Sequence, residues 1–441
     1  MTDIVRDQWV RWLFILLCGS GALWSFARVS DWGNELSPVD PYSEANVLRE
    51  VRHFLEEGLT RHYGLGTVLY PGLYPTEGFA SDPDLSVFGV SPEGVYTHYP
   101  PGPEYLAWLT AKLFGAEPVS RLRLLPISVG WAAMVFFGLA IRRRFGAAVG
   151  WMVMGACMVT PTVVDGIVGL HSQGYAFALL LVEIALVIRE KPSFVPFALL
   201  GFLQGWLSFD YVFLVTFTPL AIEFALPRIE PGYAPHWRKA LIQTILAGGG
   251  FTAAHGLHLL QVWAYWGSLD AALRDLAGAA AHRAGAGMIS GPFEYLYQAI
   301  FNLRLYVYGL HPFSTVLDFP DTVDPADYTM FRFLGLSLGP WWLLITVGLM
   351  IWDRISPGPD ARALRMNWHV VCLTGLATIS LWFVIMVNHG VVHRHFLYRH
   401  LFLMFFLMTL FVAVTARRVL CESETSRRLL HRNHAVSMPG S

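Results

Sequence analysis

Apolar runs about as long as a bilayer is thick constrain this chain more than any other feature. About ten such runs succeed one another, each close to the roughly 20 residues a helix needs to cross hydrocarbon. They are Trp9–Phe26, Arg121–Ile141, Ala147–Val163, Tyr175–Ile188, Phe194–Phe209, Tyr211–Leu226, Leu241–Trp266, Phe331–Trp352, His369–Val387 and Phe396–Val414. Composition agrees: 54% of residues are hydrophobic and 14% charged, against about 25% charged in a soluble domain. A soluble chain of 441 residues would divide into domains joined by polar linkers, and none is present. The fold class expected is an all-α polytopic membrane protein.

Lys and Arg in the short loops set the orientation. With the N-terminus inside, Arg142-Arg143-Arg144, Arg189 with Lys191, Arg228 with Arg238 and Lys239, and Arg354 with Arg362 and Arg365 all fall inside. The tail, with Arg417, Arg418, Arg427, Arg428 and Arg432, does too. The short loops on the other side, Asp165–Gln173 and the turn at Asp210, carry no Lys or Arg. The chain thus divides into 1–28 (N-terminus and first span), 29–120 (first outer loop), 121–266 (spans two to seven), 267–330 (second outer loop), 331–415 (the last three spans) and 416–441 (cytoplasmic tail). The first span has no small-x-small cleavage site and is read as uncleaved. The tail from Glu422 is polar and reads as disordered.

A net charge of −1 gives no basic bias towards nucleic acid. Cys18, Cys157, Cys372 and Cys421 match no metal spacing and suggest no disulfide. His389, His393 and His395 cluster, but no carboxylate lies nearby in sequence, so no metal site is expected.

The first outer loop carries two helical patterns. Over Ser43–Glu57, the residues Val47, Leu48, Val51, Phe54 and Leu55 form one apolar stripe. Ser43 can cap its start, and Gly58 follows its end. Too short to span, this helix is expected in the interface plane. A second follows Pro103, with Tyr105, Leu106, Leu109 and Leu113 on one side, and ends at Gly115. Between them, Tyr70–Gly94 has loop composition. The second outer loop has two helical stretches and several aromatics (Phe293, Tyr295, Tyr297, Tyr306 and Tyr308). These suit sugar stacking or simple interfacial packing, and the sequence does not separate the two.

Three motifs stand on the outer side. Pro38-Val39-Asp40-Pro41-Tyr42-Ser43-Glu44-Ala45 opens the first loop helix. By itself Asp40 reads as a turn residue before proline and Glu44 as a first-turn helix charge. Tyr96-Thr97-His98-Tyr99-Pro100-Pro101-Gly102-Pro103-Glu104-Tyr105 leads into the second helix, with Leu113-Phe114-Gly115 and Arg121 beyond it. Paired prolines make a rigid approach to a helix's first turn. His393-Arg394-His395-Phe396-Leu397-Tyr398-Arg399-His400 precedes the last span. Arginine's fork suits a phosphate at headgroup level, while snorkelling arginines at an interface would look the same.

One span, a long outer loop with two interfacial helices and then a bundle resembles the C superfamily of glycosyltransferases. That superfamily includes protein O-mannosyltransferases and enzymes that add aminoarabinose to lipid A. The resemblance implies an inverting transferase on the outer face of a bacterial inner membrane. It would move a sugar from a polyprenyl-phosphate donor to a hydroxyl on a glycan, lipid or protein, with no other cofactor. By its motifs, Asp40 or Glu44 would act as catalytic base or orient the acceptor. His98, Tyr99, Arg121 and His171 would bind substrate, His171 standing where relatives often have an aspartate. Arg399 and Arg394 would hold the phosphate. A carboxylate is what the chemistry requires, because an attacking hydroxyl must lose its proton, and one suffices for a single inverting displacement. An outer-face glycan polymerase or ligase is the alternative. A secondary transporter would show inverted repeats, and the sequence shows none.

Overall fold

The computed structural model describes residues 3–36, 41–68, 91, 93–158, 167–189, 194–285, 289–307, 338–355, 359–387 and 402–436. Among them the chain is helical, apart from loops and one antiparallel bridge between Thr67 and Val95. The helices are α1 (Asp3–Ser30), α2 (Pro41–Glu56), α3 (Gly102–Phe114), α4 (Leu124–Phe145), α5 (Ala147–Met158), α6 (Ser172–Val187) and α7 (Val195–Leu207). They continue as α8 (Val212–Ile229), α9 (Trp237–Trp266), α10 (Leu269–Arg283), α11 (Pro292–Val307), α12 (Leu338–Ile355), α13 (Pro359–Ile385) and α14 (Phe402–Val436). A 3-10 turn, Val119–Arg123, leads into α4.

Four stretches are long and apolar enough to cross a bilayer: Gln8–Ser30, Val119–Phe145, Val212–Ile229 and Phe402–Leu420. Ala147–Met158, Gly174–Val187 and Val195–Leu207 are shorter apolar helices. These seven fall on the expected spans one to six and ten. The remaining three expected spans fall on α9, α12 and α13. The expected spans Ala147–Val163, Phe331–Trp352 and Phe396–Val414 run partly outside the described residues.

The bundle is arranged around α4, which packs on α1, α5 and α6, while α8 packs on α9, α13 and α14. Phe14 and Cys18 of α1 face inward, and Trp9, Trp12, Leu16 and Leu23 of the same helix are exposed. The Trp131 indole of α4 donates to Ser25 Oγ of α1 at 3.0 Å, and Phe177 meets Phe402 edge to face at 4.8 Å. The tightest seam joins α7 and α9. A Cβ added at Gly201 would stand 2.0 Å from the Ala247 carbonyl oxygen, and one at Gly250 would stand 2.0 Å from that of Ala198. Glycine lets these backbones touch, the usual device for close packing between helices in lipid. At the basic end, Arg144 donates to the Ile188 carbonyl at 3.1 Å and to Glu230 Oε2 at 2.9 Å, tying the loops after α6 and α8 together.

Four expectations change. Helix α2 starts at Pro41, not Ser43, since proline is well placed in a first turn. Its apolar stripe does not face outward either: Val47 and Val51 pack against Ala107 and Ala111 of α3 and against Val119, Leu122 and Leu170. In α3 the inward face is the small one, Gly102, Pro103, Ala107, Thr110 and Ala111, while Leu109, Leu113 and Phe114 are exposed. Small residues let α2 approach closely, and the large ones are left for the lipid boundary. Finally, the tail expected to be disordered is helical to Val436. No proline or glycine interrupts it before Pro439, and its Arg and Leu residues favour helix.

Candidate functional site

The end of the bundle opposite Arg142-Arg143-Arg144 gathers two clusters that meet at the Pro-Pro turn. The first is built on the buried face of α2, which carries Glu44 and Glu50 among Val47, Val51 and Phe54. Glu44 is fully buried, and its Oε2 accepts from Arg123 Nη2 at 2.6 Å. Its Oε1 accepts from the backbone N–H of Leu170 at 3.1 Å. Arg123, also fully buried, donates to the Glu35 carbonyl at 3.1 Å and lies over the Trp32 ring, 5.0 Å from its centroid. The pair therefore fastens α2 to the end of α1, the start of α4 and the loop before α6. Its Nε and Nη1 are buried without a partner among the described residues.

A few residues along the same face, Glu50 lies against Gly66 and near Glu104 in the first turn of α3. Burial, and then the charge of Glu104, pushes Glu50 well above the usual carboxylate range. Burial pushes Glu104 up to about 7. The Tyr175 hydroxyl at the start of α6 is buried, without a partner among the described residues, and close enough to sense the Glu104 charge. No cation is among the groups that shift either acid.

This pair carries a pH signature. Raised carboxyl values mean that the folded chain binds these protons more tightly than the unfolded chain, whose glutamates titrate near 4.5. The stability Glu104 contributes is complete below about 4.5 and is lost as pH rises through about 7, and Glu50 acts in the same direction. Thermal unfolding of the purified protein should show a falling midpoint across that window. The Glu50→Gln/Glu104→Gln double variant should fall less, and identical slopes would mean that the pair is ionised throughout.

The second cluster is the turn itself. Any Cβ at Gly102 would come within 2.3 Å of the Trp206 carbonyl oxygen, so this glycine lets the start of α3 seat on the end of α7. Ahead of it, His98 is buried with Nε2 3.4 Å from Asp275 Oδ1 of α10. Burial lowers the His98 pKa, with Asp275 opposing. Burial would raise Asp275, but its bonds from His98, Thr97 and Trp266 prevail and hold it below the usual range. Tyr99 packs on Phe209 at 4.5 Å, and its hydroxyl donates to Asp210 Oδ1 at 3.5 Å. Arg283, the last residue of α10, lies over both rings, 5.1 Å from Tyr99 and 4.6 Å from Phe209. Asp210 accepts a further bond from Ser208 Oγ at 3.1 Å.

Of the residues singled out in the sequence, His98 and Tyr99 meet α10, and Glu44 meets Arg123. Arg121 is exposed near Gly115, at the other end of α3 from Tyr99. The guanidinium that reaches the acid is Arg123, two residues on. His171 is buried as the residue before α6 and lies against Gly169. Asp40, Arg394 and Arg399 lie outside the described residues, as do Asp165, His389, His393 and His395. Among the described residues no group of three or more metal-ligating side chains converges. Sequence reasoning missed Arg123, Glu50, Glu104, Asp275 and Arg283. Glu50 could have been found, because a lone glutamate on the apolar stripe of an amphipathic helix must be buried with it.

No protein-family model matches the chain, and no curated protein matches it. Solved structures of ArnT from Cupriavidus metallidurans are similar to it. One, bound to undecaprenyl phosphate, is 14% identical with a TM-score of 0.36, covering 91% of this chain and 78% of that one. The other, in the apo state, is 12% identical with a TM-score of 0.36, covering 94% and 78%. At that similarity no residue role passes from one chain to the other.

Proposed function

We propose that this protein is an inverting glycosyltransferase of about ten spans, working on the outer face of the membrane with a polyprenyl-phosphate sugar as donor. The observation that carries the reading is the pair of buried acids on α2, Glu44 and Glu50, with the half-buried Glu104 of α3 beside them at the Pro-Pro turn, on the side opposite the basic loops. A bundle needs no buried carboxylates on its outer rim for stability, since burying them costs free energy. In this reading the acceptor hydroxyl attacks the anomeric carbon, the bond from that carbon to the donor phosphate breaks, and a carboxylate takes the hydroxyl proton. Asp40 is the base. Glu44, locked by Arg123, fixes the helix that follows Asp40. The lipid phosphate leaves with its charge met by arginines: Arg394 and Arg399 before the last span, and Arg283 from α10.

The test is turnover. The purified chain, reconstituted in lipid, would receive radiolabelled sugars linked to undecaprenyl phosphate, with glycan, lipid and peptide acceptors. Transfer, or slow hydrolysis of one donor to free sugar, is expected. Absence of both turnover and donor binding across several sugars, with a folded protein, would overturn the reading and favour a glycan polymerase or ligase.

A further inference from the structure

Helix α11, in the second outer loop, has two chemically different faces. Ala299 is buried, and Tyr295, one turn before it, donates its hydroxyl to the carbonyls of Val384 and Ile385 at the end of α13. On the opposite side Phe293, Leu296 and Ile300 are 87%, 56% and 56% exposed. Their spacing is that of one helical stripe, and the stripe stands outside the protein. Glu294 accepts from the backbone N–H of Ser290 at 2.7 Å and closes the start of the helix.

The position of the stripe names its partner. Arg362 and Arg365 lie near the start of α13, so by the basic-loop orientation its Ile385 end is the outer one. Tyr295 therefore holds α11 at the level where hydrocarbon gives way to headgroups. The last turns of α13 expose Leu381, Val384 and Ile385, so the stripe continues a surface already turned towards lipid. A helix with one apolar face at this depth lies in the interface plane.

The same helix bears on the site. It follows α10 closely in the chain, and α10 buries little of its own: Ala272 and Ala279 are its buried residues. Polar contacts, Asp275 with His98 and Arg283 over Tyr99, join α10 to the Pro-Pro turn. We propose that α11 is a membrane-seated anchor whose apolar stripe lies in the outer leaflet and thereby holds α10 on the Pro-Pro turn. This inference does not depend on the reaction the site performs.

The test uses the full chain with Cys421→Ser, the other three cysteines being buried. A nitroxide is attached at Leu296→Cys and, for reference, at Asp270→Cys on the exposed side of α10. In phosphatidylcholine–phosphatidylglycerol vesicles the label at 296 should collide with oxygen several-fold more often than with a water-soluble nickel chelate, and the label at 270 should show the reverse. Equal nickel access at the two positions would overturn the membrane seat. Ile300→Asp should then raise amide hydrogen exchange several-fold across 269–283 and leave 212–229 unchanged. Unaltered exchange in 269–283 would overturn the hold on α10.

Discussion

Asp40→Asn is expected to cut sugar transfer by about 10²- to 10⁴-fold, the range for loss of a general base, with the unfolding midpoint unchanged. Asparagine keeps the size of the side chain but cannot accept the hydroxyl proton. Asp40 immediately precedes α2, and the first turn of that helix is fixed by Glu44 through Arg123 Nη2 and the Leu170 N–H. Glu44 spends both oxygens on these bonds, so Glu44→Gln should lower the unfolding midpoint, whereas Asp40→Asn should lower kcat alone. Donor binding, measured separately, should survive in Asp40→Asn. Full transfer by that variant would move the base elsewhere, and Glu104 would be the first acid to examine because its carboxyl sits near neutrality.

Arg123→Ala should be the most damaging single change to stability among the residues described, by about 3–5 kcal/mol. The substitution takes from the buried Glu44 the guanidinium that meets its Oε2 at 2.6 Å. Arg123 also bridges the Glu35 carbonyl and the Trp32 ring, so the end of α1 loosens from α4 at the same time. Pairing the change with Glu44→Gln removes the stranded charge, and the double variant should regain much of the loss. Thermal unfolding in micelles of wild type, both single variants and the double variant gives the cycle directly. Strictly additive losses would mean that the two side chains act independently.

Much of the fold could be read from the chain because a membrane allows few choices. Apolar runs of spanning length marked α1, α4 and α8. Glycine marked the end of α3 at Gly115. What the chain hid was which side of a loop helix faces inward. In α3 the hydrophobic residues Leu109 and Leu113 look like the core face, but the core face is Ala107, Thr110 and Ala111, chosen by how closely α2 must approach. The candidate cluster was legible where a motif was local, as in His98-Tyr99-Pro100-Pro101. It was hidden where partners come from afar: Arg123 finds Glu44 across 79 residues, and Asp275 reaches His98 from another loop. Spacing within one helix cannot reveal such pairings.

The seam between α7 and α9 has a mechanical consequence. Where carbonyl oxygens occupy the places that side chains would take, neither helix can turn or slide against the other without collision, so the two behave as a single stator. The Pro-Pro turn is seated on the end of α7 through Gly102, and α9 ends at Gly267, whose backbone is left-handed (φ +66°), a conformation that reverses the chain sharply at little cost for glycine. That residue is the joint. Any change of angle between α9 and the segment that follows it is taken up at that residue, while the wall that carries the Pro-Pro turn stays still.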